Sequence, residues 1–167
     1  MNRLNQRYSF AMFFMLLWWL PGMVAADQPT DQRALEGVAE GKAIFDVNLG
    51  NPSTLVVILD VVNETLDGLA AHGVEADLIV AFRGPSVRFI TADESKIPLE
   101  QVEAAQALAE RVGHLSERGV RFEACGIATR LSGVDNASLI PGVEPVANTF
   151  NSLIGYQAKG YAVIPIM

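Results

Sequence analysis

The chain has 167 residues, 50% of them hydrophobic and 19% charged, with a single Cys and a formal charge of −7. Such a length holds one domain core, at roughly 100–200 residues per domain, and the charged fraction is too low for a disordered chain. One cysteine excludes an internal disulfide framework, a CxxC redox pair, a Cys-rich zinc site and haem attachment through CxxCH, while 12 basic residues scattered among 19 acidic ones provide no groove for nucleic acid.

Arg3 and Arg7 precede an uncharged run from Phe10 to Leu20 that Pro21-Gly22 ends, and Val24-Ala25-Ala26 then offers small residues to signal peptidase. Residues 1–26 are therefore expected to be a secretory signal peptide cleaved between Ala26 and Asp27. The run is shorter than the roughly 20 residues that span a bilayer, and an uncleaved anchor is the alternative. No Cys at the cleavage point and no Arg-Arg pair suggest a lipoprotein or the twin-arginine route. The expected location is periplasmic or secreted, with no membrane attachment after cleavage.

The stretch 27–40 is polar, contains Pro29 and reads as a flexible N-terminal arm ahead of a single domain over residues 41–167. Lys42 to Leu49 forms the first strand, closed by Gly50-Asn51-Pro52, with Asn51 or Ser53 capping a helix that runs to Ala71. Along it Leu55, Ile58, Leu59, Val62, Leu66 and Leu69 recur at spacings of three and four, and His72-Gly73 stops it. Val74 to Phe82 is a second strand whose continuously apolar core suits burial on both faces, and it ends at Arg83-Gly84-Pro85-Ser86. Val87 to Ile90 reads as a short strand or a helical turn. A long helix from Pro98 to about Glu117 carries Val102, Ala105, Leu108, Ala109, Val112 and Leu115 on its inner stripe. Gly119 ends it before a third strand, Val120 to Cys125, and a short helix, Ile127 to Leu131. Beyond a loop at Pro141-Gly142 come a last helix, Val146 to Lys159, and a last strand, Tyr161 to Ile166. Strands alternating with helices of this size predict an α/β fold, a three-layer sandwich around a mainly parallel sheet of four or five strands.

Ligands of such sheets gather at the carboxyl ends of the strands. The one reactive atom there is the Cys125 sulfur, placed where a strand hands over to a helix, so that backbone N–H groups at Cys125 and Gly126 and the helix dipole would favour thiolate. Gly126 would let the chain turn and leave the sulfur uncovered. Arg83, directly after a buried strand, could hold an oxyanion or stabilise a thiolate or persulfide. Arg130 is placed similarly, and Asn51 lies in the loop after the first strand. A lone free Cys in an exported protein is buried and inert, paired between chains, or reactive, and placement alone leaves these readings open. Dinucleotide and NTP motifs, GxSxG and HExxH are all missing, so no cofactor and no metal are expected. His72 reads as a surface residue at a helix end, His114 as lying on a helix flank, and Asp46, Glu64 and Asp67 as solvating an edge or a helix face.

Four pieces in order, the Gly50-Asn51-Pro52 turn, Val80-Ala81-Phe82-Arg83-Gly84-Pro85, the strand from Gly119 to Cys125, and Ala158-Lys159-Gly160-Tyr161-Ala162-Val163-Ile164-Pro165, resemble the DsrE/DsrF-like family from about Lys42 to the C-terminus. The resemblance implies a flavodoxin-like sandwich associated with sulfur relay, a persulfide-bearing cysteine at the position of Cys125, and assembly as homotrimers or hexamers. Related sequences often have His where this chain has Arg83. The resulting expectation is an exported carrier or sulfurtransferase that holds sulfane sulfur as a persulfide on Cys125, with Gly126, Arg83, Asn51 and Arg130 binding substrate or stabilising the thiolate. Its partner would be a small sulfur donor or a sulfur-transfer protein. The alternative is a non-catalytic, oligomeric binding module with a structural cysteine. A flavin or nucleotide binder is a weaker third reading, because the phosphate loop is missing.

Overall fold

A computed structural model describes residues 29–167. The expected signal peptide, with Asp27 and Gln28 of the arm, lies outside the described residues. Five strands, β1 (Glu40–Val47), β2 (Glu75–Phe82), β3 (Arg121–Cys125), β4 (Val143–Val146) and β5 (Ala162–Ile166), form one sheet in the order β4-β3-β2-β1-β5. Every neighbouring pair is parallel. Parallel pairing obliges each connection to cross a face of the sheet, and the crossings are made by helices. The sandwich predicted from the alternation of elements is thus the fold observed.

After a single turn at α1 (Gln32–Leu35), the first long connection is α2 (Pro52–Ala71). Asn51 caps it, its side-chain oxygen accepting from Thr54 N at 3.1 Å, with Pro52 in the first turn. Pro at that point forfeits no helical hydrogen bond, because the first N–H groups have no intrahelical partner. The second connection descends through 3₁₀ turns at Gly84–Phe89, Glu94–Lys96 and Leu99–Gln101 into α3 (Val102–Glu117). Leu55, Leu59 and Val62 of α2 and Leu108, Val112 and Leu115 of α3 pack with Val80, Phe82 and Phe122 in one core. The Phe82 and Phe122 rings stack there at 6.1 Å. A smaller cluster joins Ile44, Ile79 and Ala81 to Tyr161, with Leu153 and Tyr156 of α5 (Thr149–Ala158) against it. Alternate residues of one strand feed the two clusters, which is why β1 and β2 end in unbroken buried runs.

Several boundaries differ from the sequence expectation. The first strand starts at Glu40 and ends at Val47 rather than spanning 42–49, so the arm is shorter by one residue and contains a helical turn. Residues 84–89 take the helical alternative. Pro98 precedes rather than starts α3. The last helix begins at Thr149, because Val143–Val146 is a fifth strand. Pro145 hid that strand: proline cannot donate to a ladder, and it is tolerated in β4 because β4 is an edge. Pro165 sits in β5 at the opposite edge for the same reason. Among the described residues, no helix is long and apolar enough to cross a membrane.

Candidate functional site

The connections step outward from β1 to β4 and then reverse, β4 to β5 crossing back over the sheet. At that reversal the segments after β3 and β4 diverge and leave a cavity of about 410 Å3, within the range of small-molecule sites. Cys125, the last residue of β3, lies in its wall and is the residue before α4 (Gly126–Ser132). Its exposure is only 6%, so the expectation of an uncovered sulfur does not hold: access is through the cavity.

Four potential donors are near enough to the sulfur to favour its thiolate. Burial pushes the Cys125 thiol up, but the N–H and hydroxyl of Thr149 and the N–H groups of Ala128 and Ile127 outweigh it and hold the pKa below its ordinary value. The α4 amides among them are those of Ile127 and Ala128, in the first turn of the helix and just beyond the Cys125 and Gly126 amides expected from sequence. Thr149 opens α5, capped by Asn148, whose side-chain oxygen accepts from Phe150 N at 3.0 Å. The Thr149 side chain is wholly buried, and its hydroxyl has no partner with formed hydrogen-bond geometry in the resting chain. Such a group costs about 1–3 kcal/mol while it goes unused. A thiolate or an anionic sulfur at Cys125 is what would engage it.

Gly126 serves a different purpose from the one expected. A Cβ there would come within 2.9 Å of the Val146 carbonyl oxygen, so glycine is required because the chain after β4 passes directly over the start of α4. Gly84 answers a second constraint: its φ of +56° is in the left-handed region, and a Cβ would collide with the Asn48 side chain.

Arg83 lines the cavity but is already engaged. Its Nε and Nη2 donate to the two Asp46 oxygens at 2.5 and 2.9 Å, and its guanidinium lies over the Phe150 ring at 5.4 Å. The Asp46 hydrogen bonds raise the Arg83 pKa, burial opposes them, and attraction to Asp46 and Cys125 adds to the rise. Asp46 is therefore buried in an ion pair rather than solvating an edge. Asn51 and Arg130 are exposed and outside the cavity lining; Asn51 is a helix cap. His72 ends α2, its Nδ1 2.9 Å from the Gly68 carbonyl oxygen, and His114 lies on α3, both away from Cys125. Among the described residues, no three His, Cys, Asp or Glu side chains are grouped to hold a metal ion.

Thr149 and Arg88 were missed from the sequence. Asn148-Thr149 did carry a helix-start signal, an Asn before an apolar stretch, but the unrecognised strand before it left the helix start misplaced. Arg88 is exposed on the 3₁₀ turn after β2, lines the cavity, and has no ion-pair partner among the described residues.

The sequence pattern of the DsrE/DsrF-like family matches residues 42–166, the whole sheet from β1 to β5 apart from the first two residues of β1. The chain belongs to the DsrE/DsrF-like family. Membership of this family suggests a sulfur-relay fold. A similar sequence is that of an uncharacterized protein of Aquifex aeolicus (strain VF5), 26% identical over 125 residues. The aligned stretch is 74% of this chain and 55% of that protein, so the chain spans about half the length of the curated relative it matches. Among solved structures, MTH1491 of Methanobacterium thermoautotrophicum, titled a protein of unknown function, superposes with a TM-score of 0.60 at 21% identity. The match covers 76% of this chain and 98% of that one, a likeness of fold.

Proposed function

We propose that this DsrE/DsrF-like protein is an exported sulfur carrier in which Cys125 accepts sulfane sulfur and passes it on. The Cys125 thiolate attacks the outer sulfur of a donor; the new S–S bond forms as the donor's S–S bond breaks, and the remainder of the donor leaves as a thiolate or sulfide. An acceptor thiolate then attacks the outer sulfur of the persulfide, and the Cys125 thiolate is restored. No external oxidant is consumed. The observation that carries this reading is the wholly buried Thr149 hydroxyl, which bonds no other group, beside a cavity-lining thiol whose pKa is lowered. Both Cys125 and its persulfide need an anionic sulfur stabilised at this point, and the persulfide, being the more acidic, draws on the same donors. Arg83, held by Asp46, contributes a fixed positive field rather than a ligand. Export rests on the leader-like residues 1–26. Self-assembly is part of the proposal, supported by the exposed apolar side chains of Phe150 and Ile154 on α5.

The low exposure of Cys125 favours a second reading, a binding module in which the thiol is a small core residue. One experiment separates the two. Intact mass after incubation with inorganic polysulfide should rise by one or more sulfur atoms in the native protein, reversibly by reductant, and stay constant in Cys125→Ser. Retained uptake in that variant, or a wild type that takes up no sulfur from inorganic polysulfide or from an organic persulfide, would overturn the carrier.

A further inference from the structure

The cavity is larger and more apolar than an inorganic sulfur donor requires. A water molecule's share of liquid volume is about 30 Å3, and a thiosulfate or short polysulfide amounts to only a few such volumes, leaving most of about 410 Å3 unfilled. The walls around Cys125 include Ile127, Leu131 and Phe150, the last two 79% and 55% exposed. A small, strongly hydrated dianion gains nothing from such walls, whereas an organic group is desolvated against them at roughly 25 cal/mol per Å2 of apolar area.

Two guanidinium groups line this space, and they differ in availability. Arg83 is committed to both oxygens of Asp46, whereas Arg88, exposed on the same lining, has no carboxylate partner among the described residues. An unpaired guanidinium beside an apolar wall fits a ligand with an apolar or neutral body and a carboxylate at one end. At the other end the reacting sulfur would meet Cys125, where the wholly buried Thr149 hydroxyl waits without a partner.

Resting on the carrier reading above, we infer that the donor is a low-molecular-weight organic persulfide bearing a carboxylate, with Arg88 as the residue that recognises the carboxylate and the Leu131–Phe150 walls holding the organic body. The transfer balances without an added redox partner. The Cys125 thiolate attacks the terminal sulfur of R–S–SH, the Cys125 S–S bond forms, the donor's own S–S bond breaks, and R–S⁻ leaves with the electron pair. The proton stays with the transferred sulfur.

The test compares loading rates, read by intact mass, for three donors: the persulfide of N-acetylcysteine, the persulfide of its methyl ester, and inorganic polysulfide. The wild type should load from the free acid about tenfold faster than from the ester, the factor expected of one charge-assisted contact worth roughly 1.4 kcal/mol. Arg88→Gln, an exposed change that the fold tolerates, should remove that preference by slowing the free acid to about the rate of the ester. Equal rates for acid and ester in the wild type, or an acid preference that survives in Arg88→Gln, would overturn the inference while the carrier stands. Loading by inorganic polysulfide alone would do the same. Absence of loading from every donor would instead remove the carrier reading and this inference with it.

Discussion

At the Cys125 sulfur, burial and hydrogen bonding pull in opposite directions, and the hydrogen bonds win because three N–H groups and one hydroxyl converge from two helix starts. Thr149 supplies two of those donors, and its hydroxyl is the one with no other engagement. Thr149→Val keeps the shape and the N–H and removes only that hydroxyl. Hydrogen bonds to charged groups are worth about 1.5–3 kcal/mol, so the variant should slow iodoacetamide alkylation of Cys125 at neutral pH about tenfold, with an unchanged thermal midpoint or a raised one. A variant alkylated as fast as the wild type would show that the hydroxyl does not serve the thiolate. The lowered pKa also links ionisation to folding. Because the native thiol ionises at lower pH than the unfolded one, its contribution to stability is fully present above the unfolded pKa and is lost as pH falls through the native value. Cys125 itself was legible in the sequence, since a lone cysteine at the end of an apolar strand can be placed without knowing the rest. Arg88 and Thr149 were not, because neither is near Cys125 in the chain and only the packed loops bring them to one cavity.

Among the elements, β4 decides the site and was the one strand the sequence concealed. Its four residues, Val-Glu-Pro-Val, lack the alternation and length that mark a strand, and their proline argues against one anywhere but at an edge. Once β4 pairs with β3, its chain is carried over α4, and Thr149 is delivered to Cys125. The tightness of that crossing is measured at Gly126. Elsewhere in a helix, replacing Gly by Ala would gain about 0.5–1 kcal/mol. Here the added Cβ meets a backbone carbonyl at 2.9 Å, which cannot rotate away as a side chain would. Gly126→Ala should therefore lose about 1–3 kcal/mol, as overpacking does, read as a lower urea midpoint at constant m. It should also impair sulfur uptake by moving α5 from the sulfur. A gain in stability would mean that the crossing is loose. Helices α2 and α3 needed no such subtlety: their stripes at spacings of three and four give the buried faces directly, and the structure packs those residues into the core, Ile58 apart.

For the whole molecule, the alternation of apolar strands with amphipathic helices was enough to specify a parallel sheet between helical layers, because parallel strands have no other short way to connect. Strand order was not available from the pattern. It is the order, with the chain reversing after β4, that opens a cavity beside β3 rather than beside β1. The lowered pKa of Cys125 is accordingly a property of the folded chain, since the donors that lower it come from residues 127, 128 and 149, which only folding gathers around the sulfur. The most direct measurement is the rate of iodoacetamide alkylation at Cys125 as a function of pH, in the native protein and in urea. The native thiol should react at neutral pH at least as fast as the unfolded one, its profile rising at lower pH than the value of about 8.5 typical of a free cysteine. A thiol that is labelled only after unfolding would contradict the account and return Cys125 to the core.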